Sequence, residues 1–535
     1  MHRKEIKKTY RCRHELSRIS SMVAGVMLSA LVVCSGVQAA EMPALHLADA
    51  VRMALSKNRD VLVQETYVDS YQGQYMQAAG QFDFVLSSDA NYSRLMGSPL
   101  LGLDDTKSYT AGYEVGASKL LRNGMTAGVS LGTANYHGGL PTDAHGREAT
   151  LGLTLVLPLL RGRGAAEVAA VEDAARLRVQ ASRDDLRTQI SQVLYQTLVA
   201  YWTYRVREAL LQAAVSSEDR SRSMLASNQK LVEASEKPRG DLVLLRADLA
   251  DKIVVRQAAA LALNDARSAL GRLLGLNAAE TGALPAPADP LPAATDMRAL
   301  DDTQLAALRA DALARRTDLR SLQKQLEGAE RLTQSARDGL RPRVDLEVGV
   351  SYNKGLAGGE PAYQNLIGRN LAGPSVTARL NYQFPVANRT ARGVLLERSA
   401  QQTELMISQR DLASAVTSAV DSALQAVLSG AEQLNTAQEG LLLYEQAVNQ
   451  EIVKQKNGIS TLIDVINVET RFVNARINAL QAQLAYATAI ARLRLETNTL
   501  LPAPSDADAD VDRFALDMGA LGGLGPLEKQ LSIAR

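Results

Sequence analysis

The side chains that could do chemistry in this chain are few and poorly grouped. Among 535 residues there are five histidines and two cysteines. His137 and His145 share a Gly-rich segment with Asp143, but three ligands on a flexible loop are not a preformed metal site, and all three read as exposed loop residues. His46 stands apart. Cys12 and Cys34 both precede a predicted cleavage point, so the processed chain has no thiolate ligand, no disulfide and no Cys nucleophile. No P-loop pattern offers a phosphate cradle. Tyr201, Trp202 and Tyr204 fall on one helical stretch and read as packing residues rather than a ligand cage. Neither catalysis nor a cofactor is expected.

Two carboxylates are better placed. Asp464 follows the helix-breaking Asn457-Gly458, and Asp241 follows Pro238-Arg239-Gly240. An Asp at such a point can cap a helix or sit in its first turn, where the helix dipole favours a negative charge. Lys237 and Arg239 beside Asp241 read as solvated tip charges.

These positions correspond because the chain says the same thing twice. Leu47-Ala48 to Asn58-Arg59-Asp60-Val61 is echoed by Leu305-Ala306 to Arg316-Thr317-Asp318-Leu319, and the Ala/Leu-rich helix opened by Asp241-Leu242 returns at Asp464-Val465. A repeat of about 250 residues joining strands to long helices implies duplication of one large unit.

Each copy begins with a predicted helix, over Leu45 to Gly80 in the first. The period then drops to two. Phe82 to Tyr92, Ser108 to Leu121, Met125 to Asn135 and Ala149 to Leu157 read as strands, with a turn at Arg122-Asn123-Gly124. The second copy offers Val344 to Tyr352 and Val376 to Phe384. Pro158 and Pro385 each stop a last strand just before a helix begins.

The helices that follow are far longer than a globular domain uses. From Glu167 to Val232 there is no proline, so one helix of about 65 residues, about 100 Å long, is expected. In the last helix Ile466, Val473, Leu480 and Ala487 recur every seven residues, beside Thr470, Ile477, Leu484 and Ala491. That spacing predicts a coiled-coil seam.

The ends of the chain carry other signals. Basic residues from Arg3 to Arg18 precede the apolar run Met22 to Val33, and Val37-Gln38-Ala39 suits signal cleavage before Ala40. The run is shorter than the ~20 residues of a membrane span. Val33 stands before Cys34 where lipoprotein processing favours Gly, Ala or Ser, so a lipid anchor is not expected. The predicted organisation is a signal peptide (1–39), a first repeat (40–283), a Pro-rich exposed connector (284–298), a second repeat (299–501) and a tail (502–535). A net charge of +1 with 22% charged residues gives no signal for nucleic acid.

Several segments in this order resemble the TolC-like outer-membrane efflux and secretion channels. Leu155-Val156-Leu157-Pro158-Leu159-Leu160-Arg161-Gly162-Arg163-Gly164 is similar to that family's strand-to-helix junction, and Phe384 to Gly393 to its second-copy counterpart. Asn457-Gly458-Ile459-Ser460-Thr461-Leu462-Ile463-Asp464-Val465 resembles its Gly-x-x-x-x-x-Asp-Val hairpin turn.

The resemblance implies an α+β membrane protein: a homotrimer in the outer membrane of a Gram-negative bacterium. Each chain would give about four strands to one lipid-embedded β-barrel, continued by a helical coiled-coil barrel in the periplasm. Its implied partners are a periplasmic membrane-fusion adaptor and an inner-membrane transporter, with the duct itself passive. Asp464 and Asp241 would ring an iris-like entrance, while the family's further acidic position is Asn467 here. Gly458, Ser460 and Thr461 in one tip, and Pro238, Arg239 and Gly240 in the other, would meet the adaptor. The surplus strands in 108–135 are expected to form a hairpin beyond the membrane or to lengthen a strand, with a six-strand contribution per chain to a larger barrel as the lesser alternative. A protein-secretion duct of type I has the same architecture, and a periplasmic scaffold without a pore is the further alternative.

Overall fold

The computed structural model describes residues 44–96, 107–137, 145–235, 238–294, 300–356, 374–502 and 523–527. The predicted signal segment with Cys12 and Cys34, and also Asp143 and Lys237, lie outside the described residues.

The first copy runs α1 (Leu47–Lys57), α2 (Arg59–Ala79), β1 (Phe84–Met96), β2 (Lys107–Leu120), β3 (Thr126–His137), β4 (His145–Pro158), α3 (Ala165–Val168), α4 (Ala170–Glu233), α5 (Gly240–Leu273) and the short α6 (Ala278–Gly282). The second runs α7 (Asp302–Arg315), α8 (Thr317–Asp338), β5 (Arg343–Leu356), β6 (Ser375–Gln383), α9 (Arg389–Lys456) and α10 (Leu462–Glu496). With 64 residues in α4 and 68 in α9, the long helices each extend about 100 Å.

The helix expected over 45–80 is two helices. Asn58 leaves the helical region at φ −64°, ψ 129°, and its side chain accepts from the backbone N–H of Asp60 (2.9 Å) and Val61 (3.3 Å). Its amide also donates to the carbonyl of Leu273 at the end of α5, 2.9 Å away. The second copy breaks at the equivalent Arg316, φ −62°, ψ 117°. Here the tie to the last helix is ionic, from Arg316 to Glu496 at 2.8 Å. Asn498, just past α10, donates to the carbonyl of Arg315 at 2.7 Å. Duplication is thus visible in matching breaks, each pinned to the end of its own copy's last long helix.

Two apolar cores lie beside these breaks. One gathers Leu55, Leu198, Tyr201 and Leu270, the other Leu308, Val420, Val427, Leu434, Tyr486 and Leu493. Helix α10 stands between them, with Ala487 and Ala491 in the first core and Tyr486 and Ile490 in the second. The seven-residue repeat predicted for this helix is present, but one of its two seams runs one residue earlier. Val465, Ala479, Tyr486 and Leu493 are buried with Phe472 partly so, whereas Ile466, Val473 and Leu480 are only half-buried and Thr470 is exposed. Both registers are apolar in sequence, so spacing alone could not separate them.

The connector is less exposed than its prolines suggested. Leu284 and Pro287 are buried, and Pro287 pairs with Leu45 in a short parallel bridge. The Tyr201 hydroxyl lies 2.5 Å from Asp289 and 2.9 Å from the Leu45 carbonyl, and its ring meets Trp202 edge-on. In the tail, Leu524 and Leu527 join the second core.

All strands form one antiparallel sheet in the order β1-β2-β3-β4-β5-β6. Among the described residues all six strands read from the sequence are present in it, where the resemblance implied about four per chain in the barrel. The surplus pair, β2 and β3, is not a separate hairpin: β2 pairs along β1 from Phe84–Lys119 to Met96–Lys107, and β3 along β4 from Thr126–Val156 to His137–His145. Hydrogen-bond partners are not written in a strand's own sequence, so alternation revealed the strands but not where they pair.

Candidate gate and channel wall

Cross-strand register fixes which side chains share a face of the sheet. Leu86 is opposite Ala117, which is opposite Val129, opposite Leu153, opposite Val350, opposite Val376. Residues two apart along each strand continue that face as Tyr113, Val115, Leu131, Leu151, Leu155, Val348 and Leu380. The other face carries Ser87, Asp89, Asn91, Thr110, Gly112, Glu114, Ser130, Thr150, Thr154, Ser351, Thr377 and Arg379. An apolar face that is exposed or half-buried along the strands, backed by a polar one, is the pattern of a barrel wall between lipid and water. The outer edges of β1 and β6 have no partner strand among the described residues, so the sheet is an open segment.

Pro158 and Pro385 stand where the wall becomes helix. Gly162 and Gly164 take φ of +78° and +116° after β4, and Asn388 takes +42° after β6. The Gly162 N–H donates to Asp338 at 2.7 Å, locking the first junction to the end of α8.

The opposite ends of the long helices form the tips. In the second copy α9 closes on Gly458 at φ +72°, with Ile459 N–H donating back to the Lys454 carbonyl at 2.9 Å. Thr461 then caps α10 in a reciprocal box: its N–H (3.0 Å) and hydroxyl (2.5 Å) donate to Asp464, and the Asp464 N–H donates to Thr461 at 3.3 Å. These hydrogen bonds hold the exposed Asp464 carboxyl below its ordinary range. Ser460 donates to Glu451, one turn back on α9, and Lys454 donates to the same carboxylate at 3.0 Å. Glu451 is likewise pulled down, by Ser460 and Lys454, while Asp464 opposes that shift. Two carboxylates therefore share this tip. Glu451 escaped sequence reading because it precedes the turn, although the Glu-x-x-Lys spacing before Gly458 marks it. Asn467 is exposed on α10.

The first tip is built differently. Ser235, rather than a glycine, takes the left-handed conformation at the end of α4, φ +63°. Arg239 precedes α5 with helical backbone angles and no side-chain cap, and Gly240 is the first helical residue. Pro238, Arg239 and Gly240 are exposed, and Asp241 is half-exposed in the first turn. Both tips present apolar side chains to solvent: Ile459 (75% exposed) and Ile463 (56%) in one, Val243 (70%) in the other. Between the hairpins, Arg220 of α4 donates to Glu469 of α10 at 2.8 Å.

Among the described residues no group of three or more His, Cys, Asp and Glu side chains could hold a metal ion. His137 and His145 are register partners at the sheet end farthest from the helices.

Residues 308–499 match the family model described as Outer membrane efflux protein. The match covers little more than a third of the chain. The chain's fold is that of the solved outer-membrane channels. The CmeC outer membrane channel of Campylobacter jejuni is 15% identical, with a TM-score of 0.61 over 84% of this chain and 85% of that one. The outer membrane protein VceC of Vibrio cholerae is 14% identical, with a TM-score of 0.61 over 84% and 95%. The open-state MtrE channel of Neisseria gonorrhoeae is 18% identical, with a TM-score of 0.58 over 84% and 88%. At these identities the likeness is one of fold. No curated protein matches. The efflux-family match lies in the second copy, while the structural likeness spans both.

Proposed function

We propose that this chain forms a homotrimeric, passive exit duct, with its sheet in the outer membrane and its helices in the periplasm. The observation that carries the reading is the sheet: apolar on one face, polar on the other, and unpaired at β1 and β6. A strand edge in lipid needs a partner, because an unsatisfied backbone group there costs several kcal/mol. A second and third copy supply it by joining β6 of one chain to β1 of the next. The helices support the same assembly. On α5, Val243, Ala247, Ala250, Val254, Ala258 and Leu261 are all exposed and recur at three- and four-residue steps, as an unoccupied coiled-coil seam does. On α9, Leu396, Ala400, Thr403 and Ile407 line an open groove in the same rhythm.

Three copies of the second tip would bring Asp464 and Glu451 around one axis and focus a negative potential across an iris-like entrance. Glu451 would supply the second carboxylate that Asn467 does not, with Asp241 adding charge from the first tip. Exposed Ile459 and Ile463 beside Gly458, Ser460 and Thr461, and Val243 beside Pro238, Arg239 and Gly240, suit docking of a periplasmic adaptor. The adaptor would join the duct to an inner-membrane transporter that supplies the energy.

The deciding experiment is detergent extraction from outer membranes, followed by heat-resistance analysis and single-channel conductance. A heat-resistant trimer that conducts is expected. Full recovery as a soluble periplasmic protein would overturn the reading.

A further inference from the structure

The surplus strands β2 and β3 are fitted to the same height and the same two solvents as the rest of the sheet. On the outward, apolar face the ends of β1 and β2 carry interface side chains. Toward the helices, the Lys119 ammonium lies 4.3 Å from the centre of the Phe84 ring. Toward the far end, Tyr109 of β2 meets Tyr92 of β1 (6.4 Å between rings) and His137 of β3 (5.9 Å), with the Arg94 guanidinium 5.2 Å from the Tyr109 ring. Between Lys119 and Tyr109, Tyr113, Val115 and Ala117 face outward. At about 3.3 Å per residue and a tilt of about 40°, that stretch rises roughly 25 Å, the height of an outer-membrane apolar band. Aromatic and cationic girdles flanking such a band are what membrane barrels place at their two interfaces.

The inward face agrees. Gly112, Glu114, Gly116 and Ser118 on β2, and Gly128, Ser130 and Gly132 on β3, continue the polar face. At the helix end the short Leu121–Met125 turn is built into the junction. Arg122 grips Glu172 of α4 through two hydrogen bonds of 2.8 and 2.7 Å, and Gly164 N–H donates to the Asn123 carbonyl at 3.1 Å. A Cβ at Gly124 would lie 2.0 Å from the Gly162 carbonyl oxygen, so the turn and junction touch backbone to backbone.

We propose that β2 and β3 are wall strands, so that three copies close an eighteen-stranded barrel rather than one of twelve. The inference rests on the trimeric reading above. Strands about 4.8 Å apart and tilted about 40° put twelve around a ring of about 24 Å between Cα atoms, and eighteen around one of about 36 Å. Allowing roughly 5 Å of side chain on each wall leaves bores of about 14 and about 26 Å. A single α-helix, about 10–12 Å across, fills the first, whereas the second passes a folded helical hairpin or a large hydrated polymer. The membrane section would then admit macromolecular cargo, and selection by size would fall to the helical section and its tips.

The test uses nitroxide labels on the full assembled protein in lipid, at Val115→Cys, Val129→Cys, Ser130→Cys and Leu153→Cys, with accessibility to oxygen and to a water-soluble nickel chelate as the readout. Val115 and Val129 should match Leu153, which lies on the originally expected wall, in favouring oxygen, and Ser130 should favour the chelate. Chelate access at 115 and 129 with oxygen access at 153 would place the hairpin outside the membrane and overturn this inference alone. Chelate access at all four would overturn the channel reading as well. As a measure of bore, a neutral polymer about 20 Å across, between the two estimated widths, added from the outer side should enter and reduce single-channel conductance. Exclusion of that polymer would overturn the eighteen-stranded wall.

Discussion

Arg122 and Glu172 form a two-pronged ion pair, 2.8 and 2.7 Å, that joins the turn between β2 and β3 to the beginning of α4. Glu172 is buried while Arg122 remains half-exposed over the Phe82 ring. The pair fastens the surplus strands to the same junction from which the long helix departs. Bending at this junction would therefore move the β2–β3 pair with the helix.

The pair should make this junction acid-sensitive. The Arg122 hydrogen bonds hold the Glu172 carboxyl below its ordinary value, against the opposing effect of burial. A lowered folded value contributes stability that is present above the unfolded carboxyl's pKa, about 4.3, and is lost as pH falls through the lower folded value. Hydrogen exchange at residues 121–125 should accelerate as pH drops below about 4 after correction for intrinsic exchange rates, and in Arg122→Ala that added acid sensitivity should disappear. Equal acid responses in the two proteins would remove Arg122 as the cause.

Capping and charge at the second tip can be separated by substitution. Thr461→Ala removes the N-cap and should destabilise the start of α10 by about 1 kcal/mol, read as faster local hydrogen exchange. Asp464→Asn keeps an acceptor for Thr461 while deleting the charge. It should leave exchange nearly unchanged yet weaken block by multivalent cations, as Asp464→Ala should too. If Asp464→Asn leaves cation selectivity and block as in the parent, the carboxylate is a cap and nothing more.

The exposed stripe on α5 makes a different kind of prediction. Val254 faces solvent in the single chain, so Val254→Asp should change the chain's own folding stability by less than about 0.5 kcal/mol. A charge in a coiled-coil seam is nevertheless expensive once a neighbour covers it. The variant should lose heat-resistant trimer on gels while keeping its helical circular dichroism. A trimer of unchanged heat resistance would place the seam away from the interface.

What sequence made legible follows from which interactions are local. Leu151, Leu153, Leu155 and Leu157 announced β4 because alternation is a property of one strand. Pro158 and Gly458 marked the junction and the tip because backbone restriction belongs to single residues. Asn58 was readable in principle, as a capping residue with Asp60 two positions on, but without a proline or glycine it was absorbed into a longer helix. The distant pairings were not legible: β2 with β1, Arg122 with Glu172, and Ser460 with Glu451 across the tip. Apolar residues at both Val465 and Ile466 left the α10 seam undetermined until α4 and α9 were placed around it.

The two tips set opposite expectations for one backbone conformation. Gly458 and Ser235 both occupy the left-handed region just past a long helix, at φ +72° and +63°. Glycine reaches that region freely, whereas a side chain crowds the backbone and costs on the order of 1 kcal/mol. A Cβ at Gly458 would meet nothing within 4 Å, so any penalty there is conformational rather than a clash. Gly458→Ala should therefore loosen the second tip by about 1 kcal/mol, and Ser235→Gly should tighten the first, less the entropy that an added glycine gives the unfolded chain. Hydrogen exchange of the final turns of α9 and α4 resolves the two effects separately. Slower exchange at the second tip in Gly458→Ala would mean that its turn does not keep the left-handed geometry in solution. That outcome would also release Asp464 from the position in which Thr461 holds it.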